Sequence, residues 1–147
     1  MSELSRYREH IGRTAPPLVL EVERGHVRRF VEAIGDTNPI YVDEPAARAA
    51  GFERIPAPPT FATALRPPDP RQGLDIDFRK VLHAEQEFVF ARPIFVGDRL
   101  TVQAKIVVAD VKAGRSGVMD RLVVETGACD EKGAPVYVAR STVMVRR

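Results

Sequence analysis

The side chains best placed to do chemistry in this sequence lie between Gly35 and Tyr41, in the run Gly-Asp-Thr-Asn-Pro-Ile-Tyr. Asp36 directly follows a glycine, and Asn38-Pro39 is a turn pair. Proline drives Asn38 out of helical conformation, and an asparagine side chain can bond its own backbone. Asp36 and Tyr41 therefore leave a tight bend from which a carboxylate and a second side chain can converge on one point. A carboxylate there can orient or deprotonate water. A phenol, with an ordinary pKa of about 10, is a hydrogen-bond donor at neutral pH. His83, in Leu-His-Ala-Glu-Gln, is the other acid–base candidate, and a histidine hydrogen-bonded at a strand start is the alternative account of it.

The elements around the loop must hold it still. Leu18–Val22 reads as a short strand after Ala15-Pro-Pro17, which closes an N-terminal arm, Met1–Thr14. Glu23–Ile34 reads as a helix, because Val27, Phe30, Val31 and Ile34 form one apolar stripe and Gly35 stops it. A second short helix is expected over Glu44–Ala50. Ile55-Pro-Ala-Pro-Pro-Thr-Phe61 follows, then an apolar segment to Leu65 and a proline-rich surface loop over Arg66–Gly73. His26 falls off the apolar stripe and is expected in solvent; His10 lies in the arm and carries no signal.

The C-terminal half alternates with a period of two. Strands are expected over Glu85–Ala91, Leu100–Val108, Val118–Cys129 and Val136–Val145, with turns at Lys112–Gly117 and Asp130–Gly133. Gly97-Asp98 reads as a turn entering the Leu100 strand. The fold class is α+β: one antiparallel sheet with a helix against one face, in a single domain spanning residues 1–147. The last strand is apolar on both faces, with Val136, Val138 and Met144 on one and Tyr137, Ala139, Val143 and Val145 on the other. Such a strand needs cover on both sides, and a second subunit is expected to supply it.

Composition narrows the function. The 22 basic and 20 acidic residues leave a formal charge of +2 with no basic patch, so nucleic acid is not an expected partner. No apolar run approaches the ~20 residues of a membrane span, and no secretory signal is visible, so the cytoplasm is the expected location. The single cysteine, Cys129, agrees with a reducing compartment. Three histidines and one cysteine without ligand spacing predict no metal site, and the absence of a glycine-rich phosphate loop predicts no nucleotide cofactor.

The Gly35–Tyr41 run resembles the signature of MaoC-like (R)-specific enoyl-thioester hydratases and 3-hydroxyacyl dehydratases. These have the hot-dog fold, a curved antiparallel sheet wrapped around a central helix. In that family the loop reads Gly-Asp-x-Asn-Pro-hydrophobic-His. Ile55–Phe61, Val81–Phe88 and Arg92-Pro-Ile-Phe-Val-Gly-Asp-Arg-Leu100 are similar to further segments of its N-terminal, FAS1-like dehydratase branch. The four motifs occur in the family's order.

The resemblance implies that Asp36 and the loop's histidine activate the water added to a trans-2-enoyl thioester. Here Tyr41 stands in the histidine position. It implies that Asn38 holds the loop and that the ligand is a coenzyme A or acyl-carrier-protein thioester. A backbone N–H at the entry of the central helix is implied as the oxyanion donor. Pro58 and Pro59 have none, which leaves Thr60 or Phe61. Three readings stay open: a non-catalytic subunit pairing with a related hot-dog chain, a stand-alone lyase using Asp36 with His83, and a thioesterase using Asp36 or Glu85. A homodimer or a heterodimer is implied in each.

Overall fold

The computed structural model describes residues 4–115 and 117–147. Five strands, β1 (Leu18–Glu21), β2 (Val81–Phe90), β3 (Arg99–Gly114), β4 (Gly117–Cys129) and β5 (Pro135–Arg146), form one curved antiparallel sheet in the order β1-β3-β4-β5-β2. The expected meander β3-β4-β5 is its centre. β3 and β4 run longer than the hydrophobic alternation marks, pairing out to Gly114 and Gly117. The expected turn at Lys112–Gly117 is accordingly narrower, and its Ser116 lies outside the described residues.

β2 begins at Val81, four residues earlier than the alternation predicts, because a register shift between His83 and Glu85 breaks the period there. That shift has a functional consequence. His83, Gln86 and Phe88 line a cleft on the sheet's inner side, whereas Glu85 and Glu87 line a different one.

Helix α1 (Arg24–Ile34) lies against the sheet with Val27 and Val31 buried, as its stripe requires. Helix α2 covers Glu44–Ala49, capped by the Asp43 carboxylate, which accepts the Ala46 N–H at 2.9 Å. The segment expected to carry a central helix forms only six residues of 3-10 helix, Pro59–Ala64. Prolines bound it: Pro58 caps it, Pro59 is its first residue, Pro67, Pro68 and Pro70 follow, and none can donate to a helical ladder. α1 and this segment share one core, in which Val22, Val27, Val31, Phe61, Leu65, Ile94, Leu100, Val102, Val136 and Tyr137 pack together.

A second core at the other end of the sheet is closed by the N-terminal arm. Tyr7 is buried there with Ile76, Ile106, Leu122 and Val145, and its hydroxyl donates to the Asp75 carbonyl at 3.0 Å. The arm is fastened through Asp120, whose carboxylate is fully buried. It accepts the Arg6 N–H and Nε at 3.1 Å each, and Arg147 Nε and Nη2 at 3.0 Å each. Burial alone would raise the Asp120 pKa, but hydrogen bonds from Arg147, Ser5 and Arg6 outweigh it and hold the group at about 2, against an ordinary 3.8.

A depressed carboxylate stabilises the fold above its unfolded pKa, and that stability is lost as the pH falls through the folded value. The gap corresponds to about 2 kcal/mol. Asp120→Asn should therefore lose about that much at pH 7 in urea denaturation. The difference from the parent should shrink between pH 4 and pH 2 and vanish below. A pH-independent difference would contradict the assignment.

Candidate active site

The loop after α1 is built by successive local hydrogen bonds. Gly35 adopts a left-handed conformation, φ 69°, and its N–H and that of Asp36 return to the carbonyls of Glu32 and Val31, both at 3.2 Å. The Asp36 carboxylate accepts the Asn38 N–H at 2.8 Å, and the Asn38 amide oxygen accepts the Ile40 N–H at 3.2 Å. Pro39–Tyr41 then closes as one 3-10 turn. Asp36 and Asn38 are exposed, while Tyr41 is half-buried against the first core. Burial, and secondarily the Asp36 charge, push the Tyr41 phenol above its ordinary 10. Next to Asp36 the structure thus holds a phenol that stays protonated at neutral pH. It can donate a hydrogen bond but cannot take a proton from water.

The entry of the Pro59–Ala64 segment offers less than the sequence suggests. Phe61 is fully buried, its ring edge-on to Phe30 at 5.4 Å and to His26 at 4.9 Å. His26 is therefore half-buried against Phe61, and the expectation of a solvated histidine is corrected: its position beside the stripe, one residue before Val27, still faces the Phe61 ring. The Phe61 N–H donates to the Pro58 carbonyl at 2.8 Å and is not available to a ligand. The exposed Thr60 N–H has no acceptor among the described residues, while the Thr60 carbonyl accepts the Thr63 hydroxyl at 2.7 Å. Of the two oxyanion candidates, Thr60 is the one whose amide is open.

His83 sits on the exposed side of β2, its Nε2 3.1 Å from the Ser141 Oγ on β5. Both line a cleft of about 690 Å3 between the sheet and the Ala62–Arg71 segment, with Leu65, Phe88, Val124 and Ala139 as its apolar walls. Asp36 and Tyr41 do not line this cleft. Nor does Glu85, which accepts the Thr142 hydroxyl at 3.4 Å on the other side of the sheet. Alternation along β2 shows that Gln86 and Phe88 share a face. That Ser141 and Thr126 join them depends on pairing between distant strands, Gln86 with Ser141 and Thr126 with Ala139, which no local signal announces.

No described group of three or more His, Cys, Asp or Glu side chains could hold a metal ion, and no described helix is long and apolar enough to cross a membrane.

The model of the FAS1-like dehydratase domain region matches residues 9–139. The chain belongs to this family. A UPF0336 protein from Saccharopolyspora erythraea is 42% identical over 144 residues, covering 92% of this chain and 88% of its own. Among solved structures, the C-terminally truncated HadBC (3R-hydroxyacyl-ACP dehydratase) complex from Mycobacterium tuberculosis contains a chain 27% identical to this one. It superposes with TM-score 0.79 over 92% of this chain and 96% of that one. A chain of the ChsH1-ChsH2 complex from the same organism is 25% identical, with TM-score 0.77 over 90% and 83%. The hot-dog fold expected from the motifs is thereby shown, and with it the hydratase/dehydratase character of the family.

Proposed function

We propose that this chain is the non-catalytic half of a two-chain (R)-specific enoyl-thioester hydratase/3-hydroxyacyl-thioester dehydratase. The observation that carries the reading is Tyr41, a phenol pushed above its ordinary pKa where the reaction needs a base. Two similar structures are of two-chain complexes. The chain also has a surface suited to a partner: β2 is a ten-residue edge strand, paired with β5 on one side only, and exposed Leu82 and Val89 lie on it. A long exposed edge with apolar side chains is a template for strand pairing.

In this reading a second hot-dog chain with an intact Asp-x-x-x-x-His loop docks on β2. Its histidine takes a proton from water as the oxygen adds to C3 of the enoyl thioester, and C2 is protonated in turn. The acyl chain of a coenzyme A or acyl-carrier-protein thioester lies in the 690 Å3 cleft against Leu65, Phe88 and Ala139. Such a cleft, with apolar walls and polar groups interspersed among them, suits a ligand that carries both an acyl chain and polar atoms.

The test is an asymmetry between the two chains of the assembled complex. Asp36→Ala here should leave kcat within about threefold, whereas removing the partner's histidine should cost on the order of 10²–10⁴. An Asp36→Ala complex as inactive as the histidine mutant would overturn the proposal, because it would put the chemistry on this chain.

A further inference from the structure

Tyr137, on β5, is 2% exposed, and its hydroxyl is the buried side-chain polar atom left without a hydrogen-bond partner among the described residues. Burying an unpaired hydroxyl costs about 1–3 kcal/mol, and native folds keep few such groups. Phenylalanine would fill the same volume without that cost, so packing does not account for the hydroxyl. The surrounding core, Val27, Val31, Phe61, Ala62, Leu65 and Ile94, contributes apolar side chains.

The position of the residue supplies a reason. Tyr137 pairs in register with Phe90, the two rings 6.0 Å apart. Phe90 lines a cleft of about 400 Å3 with Ala57, Pro58, Pro59 and Ile94. The next residue on the same face of β5, Ala139, lines the 690 Å3 cleft with Ala62 and Phe88. Phe88 and Phe90 stack at 6.0 Å, joining the two clefts along β2. The Pro59–Ala64 segment overhangs both, through Pro59 on one side and Ala62 and Thr63 on the other. Tyr137 lines neither cleft, but its neighbours Phe90 and Ala139 line one each, which places it in the wall between them.

We infer that the Tyr137 hydroxyl donates a hydrogen bond to the thioester carbonyl oxygen of the bound ligand as it passes between the two clefts. The inference rests on the reading of the larger cleft as an acyl-thioester site. Burial pushes this phenol up to about 12, so it remains a donor throughout the neutral range.

The experiment measures calorimetric binding of trans-2-decenoyl-CoA and of S-decyl-CoA, a thioether without the carbonyl, to the parent chain and to Tyr137→Phe, beside thermal unfolding. The enoyl thioester should bind the variant roughly two- to tenfold more weakly, the range of one neutral hydrogen bond. The thioether should bind both proteins equally, and the variant should unfold at the same temperature or higher. Equal binding of the thioester, an equal loss with the thioether, or a lower unfolding temperature would each overturn the role of the hydroxyl while leaving the functional proposal standing. Failure of the parent chain to bind either ligand would overturn both.

Discussion

Asp98→Ala is expected to destabilise the fold by about 3 kcal/mol, the cost of removing a buried carboxylate that accepts several charge-assisted hydrogen bonds. The Asp98 carboxylate is buried and accepts four donors: Arg92 Nη1 at 2.7 Å and Nη2 at 3.3 Å, Arg54 Nη2 at 3.1 Å and the Phe95 N–H at 2.9 Å. Both guanidinium groups lie over the Phe95 ring, at 4.9 and 5.9 Å from its centroid. Truncation would leave two cations beside one ring, with the Asp130 carboxylate, 3.9 Å from Arg92, as a remaining counter-charge.

The same turn joins the sheet to the site. The Asp98 carbonyl accepts the Val22 N–H at 2.7 Å and the Val22 carbonyl accepts the Gly97 N–H at 2.8 Å, fixing the chain just ahead of α1. For a domain of this size the loss should lower the unfolding temperature by on the order of 10 °C. Urea denaturation should show the midpoint moving at constant slope. A loss below about 1 kcal/mol would show that the cluster merely offsets its own desolvation.

The second large effect concerns activity. Tyr41→His should give the isolated chain enoyl-thioester hydration about 10²-fold or more above the parent, the range that a positioned general base contributes. The loop is already shaped for it: the Asn38 N–H holds Asp36 from one side, at 2.8 Å, and the turn through Pro39–Tyr41 carries residue 41 to the core's edge. A histidine at that point would titrate near neutrality, where the phenol does not. The gain should follow a pH profile rising through the imidazole pKa and should disappear in Asp36→Ala/Tyr41→His. A variant as silent as its parent would mean that the chain lacks more than the base, and that its N–H donor or acyl groove is unusable without a partner.

The parts of the molecule governed by local rules are legible in the sequence. The apolar stripe at Val27 and Val31 and the stop at Gly35 place α1 to within a residue, because helix period and a left-handed cap are both written in neighbouring residues. Alternation from Leu100 onward places β3, β4 and β5 for the same reason. The Asp36–Tyr41 bend is legible because each of its bonds spans two or three residues.

What sequence reading does not reach depends on distant pairing. The register shift that turns His83 and Glu85 to different clefts, the meeting of His83 with Ser141, and the arm held through Arg6 and Arg147 on Asp120 all join distant segments: 58 residues separate His83 from Ser141, 114 separate Arg6 from Asp120 and 27 separate Arg147 from Asp120. Arg92-Pro-Ile-Phe-Val-Gly-Asp98 is readable as a turn, but its buried ion cluster requires Arg54, which the sequence places 44 residues from Asp98. Tyr137 reads as one apolar residue in an alternating strand. Only the packed core shows that its hydroxyl has no partner among the described residues.

The most direct test of the account is the initial rate of trans-2-enoyl-CoA hydration by the folded chain alone, and then with a hot-dog chain that keeps the Asp-x-x-x-x-His loop. This chain alone should give a rate at the buffer background, and the pair a rate above that of the second chain by itself. Hydration by this chain alone, abolished by Asp36→Ala, would contradict the account and make the chain an enzyme in its own right.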